Sequence, residues 1–175
     1  MPARKRVLWL GLVLALVAPA ACGGASASRR GSGQPLVLTV DVIDALPVDL
    51  TAWRGGVAIV HVFATWSAAS QGDHDLLASV VRDQRAKVLA IGVDQDGARL
   101  LRPYRDVLNP PFPIGVAPDG LVTGSTPLGP VPVVPTTIVL DSAGREVVRL
   151  EGGLSTATLD AALDRAGAPG RRGPR

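Results

Sequence analysis

Val57-Ala58-Ile59-Val60-His61-Val62-Phe63 runs straight into Ala64-Thr65-Trp66-Ser67-Ala68-Ala69-Ser70, and this junction governs how the rest of the chain is read. The first part is nearly continuous in apolar residues, as expected of a central strand covered on both faces. From residue 67 to 84 the period changes. Leu76, Leu77, Val80 and Val81 fall on one helical face, and Asp75, Ser79, Arg82 and Asp83 on the other. Working outward, residues 88–93 repeat the buried-strand pattern, and residues 96–108 predict a second amphipathic helix stopped by Asn109-Pro110-Pro111. Upstream, residues 36–43 are rich in β-formers, and Asp49-Leu50, Trp53 and Gly55-Gly56 predict a turn into the central strand. Downstream, residues 103–135 hold nine of the 15 prolines, leaving room for a short strand near 112–116 and little regular structure after Asp119-Gly120. Residues 136–140 and 145–151, joined by Asp141-Ser142-Ala143-Gly144, read as a hairpin. Ser155 is the expected N-cap of a last helix carrying Leu159, Ala162, Leu163 and Ala166.

The 175 residues suit one domain, and 47% hydrophobic content supplies a core. Aromatics are only 3%, so small and β-branched aliphatics must fill it. The formal charge of +3 comes from the ends: residues 35–168 carry 10 basic and 15 acidic side chains. An acidic body argues against nucleic-acid binding. Cys22 is the single cysteine, so an intramolecular disulfide, a CxxC couple and a cysteine-based metal cage are all excluded.

Arg4-Lys5-Arg6, the apolar run at 7–17 and the small residues of Ala18-Pro19-Ala20-Ala21-Cys22 read as a secretory signal over residues 1–21. The apolar run is shorter than the ~20 residues of a spanning helix, which makes an uncleaved anchor the weaker alternative. Ala20-Ala21-Cys22 resembles the end of a bacterial lipobox, which implies lipidation of Cys22 and attachment to a membrane; Ala18-Pro19-Ala20 equally suits ordinary signal peptidase, with Cys22 left as a free thiol. Residues 22–34 then form a flexible Gly/Ser-rich tether, 35–168 the folded domain, and 169–175 a disordered basic tail.

The order of elements, with Ala64-Thr65-Trp66 before Ser67-Ala68-Ala69-Ser70 and Val134-Pro135-Thr136-Thr137 before Ile138-Val139-Leu140-Asp141, resembles the TlpA/ResA-like thiol–disulfide oxidoreductases of the thioredoxin fold over residues 36–166. The resemblance implies an α/β fold with a central mixed sheet flanked by helices and an N-terminal β extension. It also implies that Pro135 begins a cis-proline loop and that Trp66 flanks the site. The family carries Cys-x-x-Cys where this chain has Ser67 and Ser70, and it has a short helix where this chain has Gly124-Ser125-Thr126-Pro127-Leu128-Gly129-Pro130.

That substitution sets the expected chemistry. Exchange needs an attacking thiolate and a second, resolving thiol, and a serine hydroxyl forms neither bond. Ser67 is expected to cap the helix. With exchange chemistry absent, what the resemblance implies is a polypeptide-binding surface of Trp66, Ser67, Ser70, Val134, Pro135 and Thr136, with no cofactor and no metal expected. Ser70 and His74, four residues apart, make a poor nucleophile–base pair, and Asp73-His74-Asp75 reads as a solvated helix face. His61 reads as a core or sheet-end histidine that hydrogen-bonds a neighbour. The expected protein is exported and membrane-tethered in a bacterial envelope, without redox activity at the serines, and its partner is an exported polypeptide or envelope protein. The alternative is a thiol–disulfide oxidoreductase working through Cys22 or a partner's thiol.

Overall fold

A computed structural model describes residues 26–27 and 33–171. The expected signal, Cys22, most of the tether and the last residues of the tail lie outside them. The elements run β1 (Ser26–Ala27), β2 (Thr39–Val40), β3 (Val48–Asp49), a 3-10 turn (Leu50–Trp53), β4 (Ala58–Phe63), α1 (Ala68–Arg82), β5 (Lys87–Gly92), α2 (Ala98–Leu108), β6 (Ile114–Val116), β7 (Thr136–Leu140), β8 (Glu146–Glu151) and α3 (Thr156–Arg165). Six strands form one sheet in the order β1-β8-β7-β4-β5-β6. β4, β5 and β6 are parallel, while β7, β8 and β1 alternate antiparallel on the other side of β4.

β4 is buried along its whole length, as its apolar run requires. Its side chains alternate between two halves of the core. Ile59 and Phe63 face Leu77 and Val80 of α1, Leu101 of α2 and Leu159 and Leu163 of α3. Val60 and Val62 face Leu38, Val40 and Leu50 from the N-terminal segment and Leu121, Leu128 and Val131 from the proline-rich segment. All three helices thus cover one face of the sheet, and irregular chain covers the other. α2 comes so close that a Cβ at Gly92 would stand 2.3 Å from a δ-carbon of Leu101.

The β-rich reading of residues 36–43 resolves into less strand than its composition suggests. Only Thr39–Val40 pairs as a strand, with β3, and bridges at Pro35 and Val42 tie the segment to Arg145 and Gly115. Ser155 does cap α3: its hydroxyl accepts from Thr158 N at 3.2 Å, and the Thr158 hydroxyl accepts from Ser155 N at 3.1 Å, a reciprocal box. Arg85, 3% exposed, follows α1 and donates to the Pro169 carbonyl at 3.1 Å and to Asp160 of α3.

No helix among the described residues is long and apolar enough to cross a membrane.

Candidate functional site

The site lies where β4 ends and β7 begins. Val62 is opposite Thr136 in the sheet, so the turn at 64–67 and the loop at 133–135 leave the sheet at the same end. Asp94, just beyond β5, fixes the first of these. Its carboxylate accepts from Thr65 N at 3.1 Å and from the Thr65 hydroxyl at 2.6 Å, while Gln71 Nε2 donates to the Thr65 carbonyl at 3.0 Å. Between these anchored residues and the helix, Trp66 projects into solvent, 74% exposed.

Ser67 is the N-cap of α1, its side chain accepting from Ser70 N at 3.3 Å. Ser70 is fully buried, and its hydroxyl accepts from Ala64 N at 3.4 Å. The Val134–Pro135 bond is cis, with Pro135 and Thr136 buried and Val134 partly exposed. The Thr136 hydroxyl donates to the Val133 carbonyl at 2.7 Å. Of the residues expected to touch a partner, Trp66, Ser67 and Val134 reach the surface, while Ser70, Pro135 and Thr136 support them from beneath.

A third loop joins these two. Gly152 N donates to the Pro135 carbonyl at 2.8 Å, and Leu154 N donates to Asp73 Oδ1 at 2.7 Å, so residues 152–154 bridge the cis-proline loop and the start of α1. Asp94 and this bridging loop are not singled out in the sequence, and Asp73 is read there only as part of a solvated helix face. Gly152-Gly153 after a strand was the available signal, and Gly152 does adopt φ +88.

One expectation is corrected here. Asp73-His74-Asp75 is not a solvated face: Asp73 is 2% and His74 5% exposed, and only Asp75 faces water. Ser70, Asp73, His74 and Leu77 follow the helical repeat and turn together toward the core. Burial raises the Asp73 carboxyl to about 6, against the pull of the Leu154 N–H. Its Oδ2 has no hydrogen-bond partner among the described residues.

His61 is a core histidine, as expected, with Nδ1 2.9 Å from the Thr137 hydroxyl. It lies 5.9 Å, ring to ring, from His74, which is ringed by Phe63, Tyr104 and Phe112. Burial lowers His61 to about 3, aided by repulsion from His74, and lowers His74 to about 4. Both are neutral near pH 7. Among the described residues neither ring nitrogen of His74 has a hydrogen-bond partner, so Ser70 and His74 form no nucleophile–base contact. Among the described residues no group of three or more His, Cys, Asp or Glu is placed to hold a metal ion.

The arrangement offers a capped helix N-terminus, an exposed indole and a partly exposed Val134, with the surrounding turns tied down by Asp94, Asp73 and Gly152. None of the described residues is a cysteine, and the hydroxyls of Ser67 and Ser70 form no disulfide with each other.

No protein-family model matches the chain. A stretch of 69 residues is 30% identical to the thiol:disulfide interchange protein CycY of Rhizobium leguminosarum bv. viciae, covering 39% of this chain and 37% of that protein. The chain therefore matches little more than a third of its curated relative. Among solved structures, it superposes on a secreted thiol-disulfide isomerase from Corynebacterium glutamicum with a TM-score of 0.65 at 22% identity, over 77% of this chain and 86% of that one. A DsbF homologue from Corynebacterium diphtheriae gives 0.66 at 17% identity, over 84% and 95%. The chain has the thioredoxin-like α/β fold, built as in these thiol:disulfide proteins around a mixed central sheet.

Proposed function

We propose that the protein is an exported, membrane-tethered thioredoxin-like module that holds an extended polypeptide beside Trp66, Ser67 and Val134 without exchanging disulfides at Ser67 and Ser70. The observation that carries this reading is the serine pair itself. Ser67 occupies the helix N-cap and Ser70 the buried position beneath the turn, so both hydroxyls are used structurally. Val134, partly exposed just before Pro135, is the residue whose main chain would pair with an extended chain, and Trp66 offers a large amphipathic contact. The apolar run and Ala20-Ala21-Cys22 support export and attachment through a lipid on Cys22.

Fluorescence anisotropy of labelled, reduced and carboxymethylated α-lactalbumin, an unfolded chain without thiols, tests binding. Trp66→Ala should weaken it about tenfold, the cost of losing an exposed aromatic anchor, while leaving thermal stability unchanged. Failure of the wild type to bind the probe refutes the reading.

A second reading, a thiol–disulfide oxidoreductase working through Cys22 or a partner's thiol, is favoured by what the similar proteins are named for. Insulin reduction by the full chain separates the two. Turnover that disappears in Cys22→Ser establishes the second reading, and turnover at the buffer rate in both proteins supports the first.

A further inference from the structure

Segment 117–135 delivers the Val134 backbone to the site, yet it forms neither helix nor strand. Prolines at 127, 130, 132 and 135 leave it poor in N–H donors, so carbonyls along it depend on donors from elsewhere. Leu121, Leu128 and Val131 are buried against the sheet, but apolar contacts are non-directional and do not orient the backbone. Arg149 supplies the direction. It sits on β8 opposite Ile138, on the face this segment covers, and is 9% exposed. Its guanidinium donates to the Leu128 carbonyl at 2.6 Å and to the Pro130 carbonyl at 3.4 Å, on either side of Gly129. Nε and an Nη hold Glu146 at 2.9 and 2.8 Å, which balances the buried charge. One planar fork therefore ties a β8 carboxylate to two carbonyls of the loop, a geometry a lysine does not reproduce. Only Val131, Pro132 and Val133 separate the clamped turn from Val134, and the proline among them stiffens the connection.

We propose that Arg149 is a positioning residue for polypeptide binding: it clamps the proline-rich loop so that the Val134 backbone is held ready to pair, without touching the bound chain itself. This rests on the polypeptide-binding reading above. The test uses the full chain with Arg149→Met, and Arg149→Lys as a milder second variant that keeps the charge. Hydrogen exchange is read at Gly129, bonded to Thr126, and at Ser125, bonded to Gly120, with Leu89 and Ile91 of β5 as core references. Arg149→Met should speed exchange at the two loop amides by about ten- to a hundredfold, the range set by losing hydrogen bonds to a charged group, with β5 unchanged. Its affinity for carboxymethylated α-lactalbumin should fall about tenfold at a temperature where the domain remains folded, in line with a lost preorganisation. Arg149→Lys should fall between. Loop exchange equal to wild type overturns the clamp. Faster loop exchange with unchanged affinity overturns the positioning role and leaves polypeptide binding standing. A wild type that does not bind the probe refutes the polypeptide reading, and the positioning role with it, while the exchange data still report whether Arg149 holds the loop.

Discussion

Asp73→Asn should stabilise the protein at neutral pH, and the gain should shrink on acidification. The Asp73 carboxyl is 2% exposed, with one oxygen bonded to Leu154 N and the other without a partner among the described residues. Raising it from 3.8 to about 6 in the folded state makes the ionised form cost up to about 3 kcal/mol. Screening by nearby solvent lowers this, and we take ~2 kcal/mol as the working figure. Because the folded value lies above the unfolded one, this group's contribution is most favourable below pH 3.8. It declines as pH rises from 3.8 to 6 and is flat above. Asparagine keeps an acceptor for Leu154 N and removes the charge. In urea unfolding at pH 8 the variant should therefore exceed wild type by about 2 kcal/mol, or roughly 5–10 °C in Tm. At pH 5 the folded wild type has largely bound its proton and the unfolded chain has not, so the gap should close by about 1 kcal/mol. A gap independent of pH, or a variant less stable than wild type at pH 8, would refute the assignment of Asp73 as a strained buried carboxyl.

His61 and His74 act with the opposite sign. Their folded values, about 3 and about 4, lie below 6.5, so stability present above pH 6.5 is lost as pH falls, at about 1.4 kcal/mol per pH unit for each ring. His74→Leu should remove one proton's worth of that slope between pH 6 and 4.5, measured by urea titration. Ser67→Cys with Ser70→Cys should give a thiol at the α1 N-cap whose pKa falls below the ~8.5 of free cysteine by about one pH unit, through the helix dipole and exposed N–H groups. Absorbance of the thiolate at rising pH reads this, and an ordinary or raised value would show that residue 67 does not sit at a helix N-terminus. Gly92→Ala should cost about 1–3 kcal/mol by driving a methyl into Leu101, and in a Leu101→Ala background the further loss should be much smaller.

The strands and helices were legible because their periods are strong. Residues 57–63 could be buried on both sides only as a central strand, and Ser155 announced α3 through a cap the structure contains. The cis-proline loop and the turn at Trp66 were legible through resemblance, since two short motifs in the right order located one end of the sheet. Composition misled at Asp73 and His74. Polar residues on an amphipathic helix are ordinarily solvated, but the repeat 70, 73, 74, 77 carries these two inward, where an N–H from residue 154 meets the carboxylate. That partner lies 81 positions away, beyond the reach of any local pattern. The proline-rich segment was likewise opaque. Its prolines forbid regular structure without saying what replaces it, and the answer, Arg149, comes from a strand later in the chain.

Arg85 bears on how the molecule comes off the ribosome. Its guanidinium is buried with acceptors at Asp160 and the Pro169 carbonyl, and β4 is flanked by β7, so the central strand and the start of the α1–β5 connection are completed only by the C-terminal part of the chain. A nascent chain lacking those residues holds an unpaired cation and an open central strand, and so cannot settle into the finished domain. Closure of the sheet around β4 and pairing of Arg85 therefore wait for β7, Asp160 of α3 and Pro169. Truncations that end before α3 should yield unfolded, protease-sensitive material rather than a smaller working body.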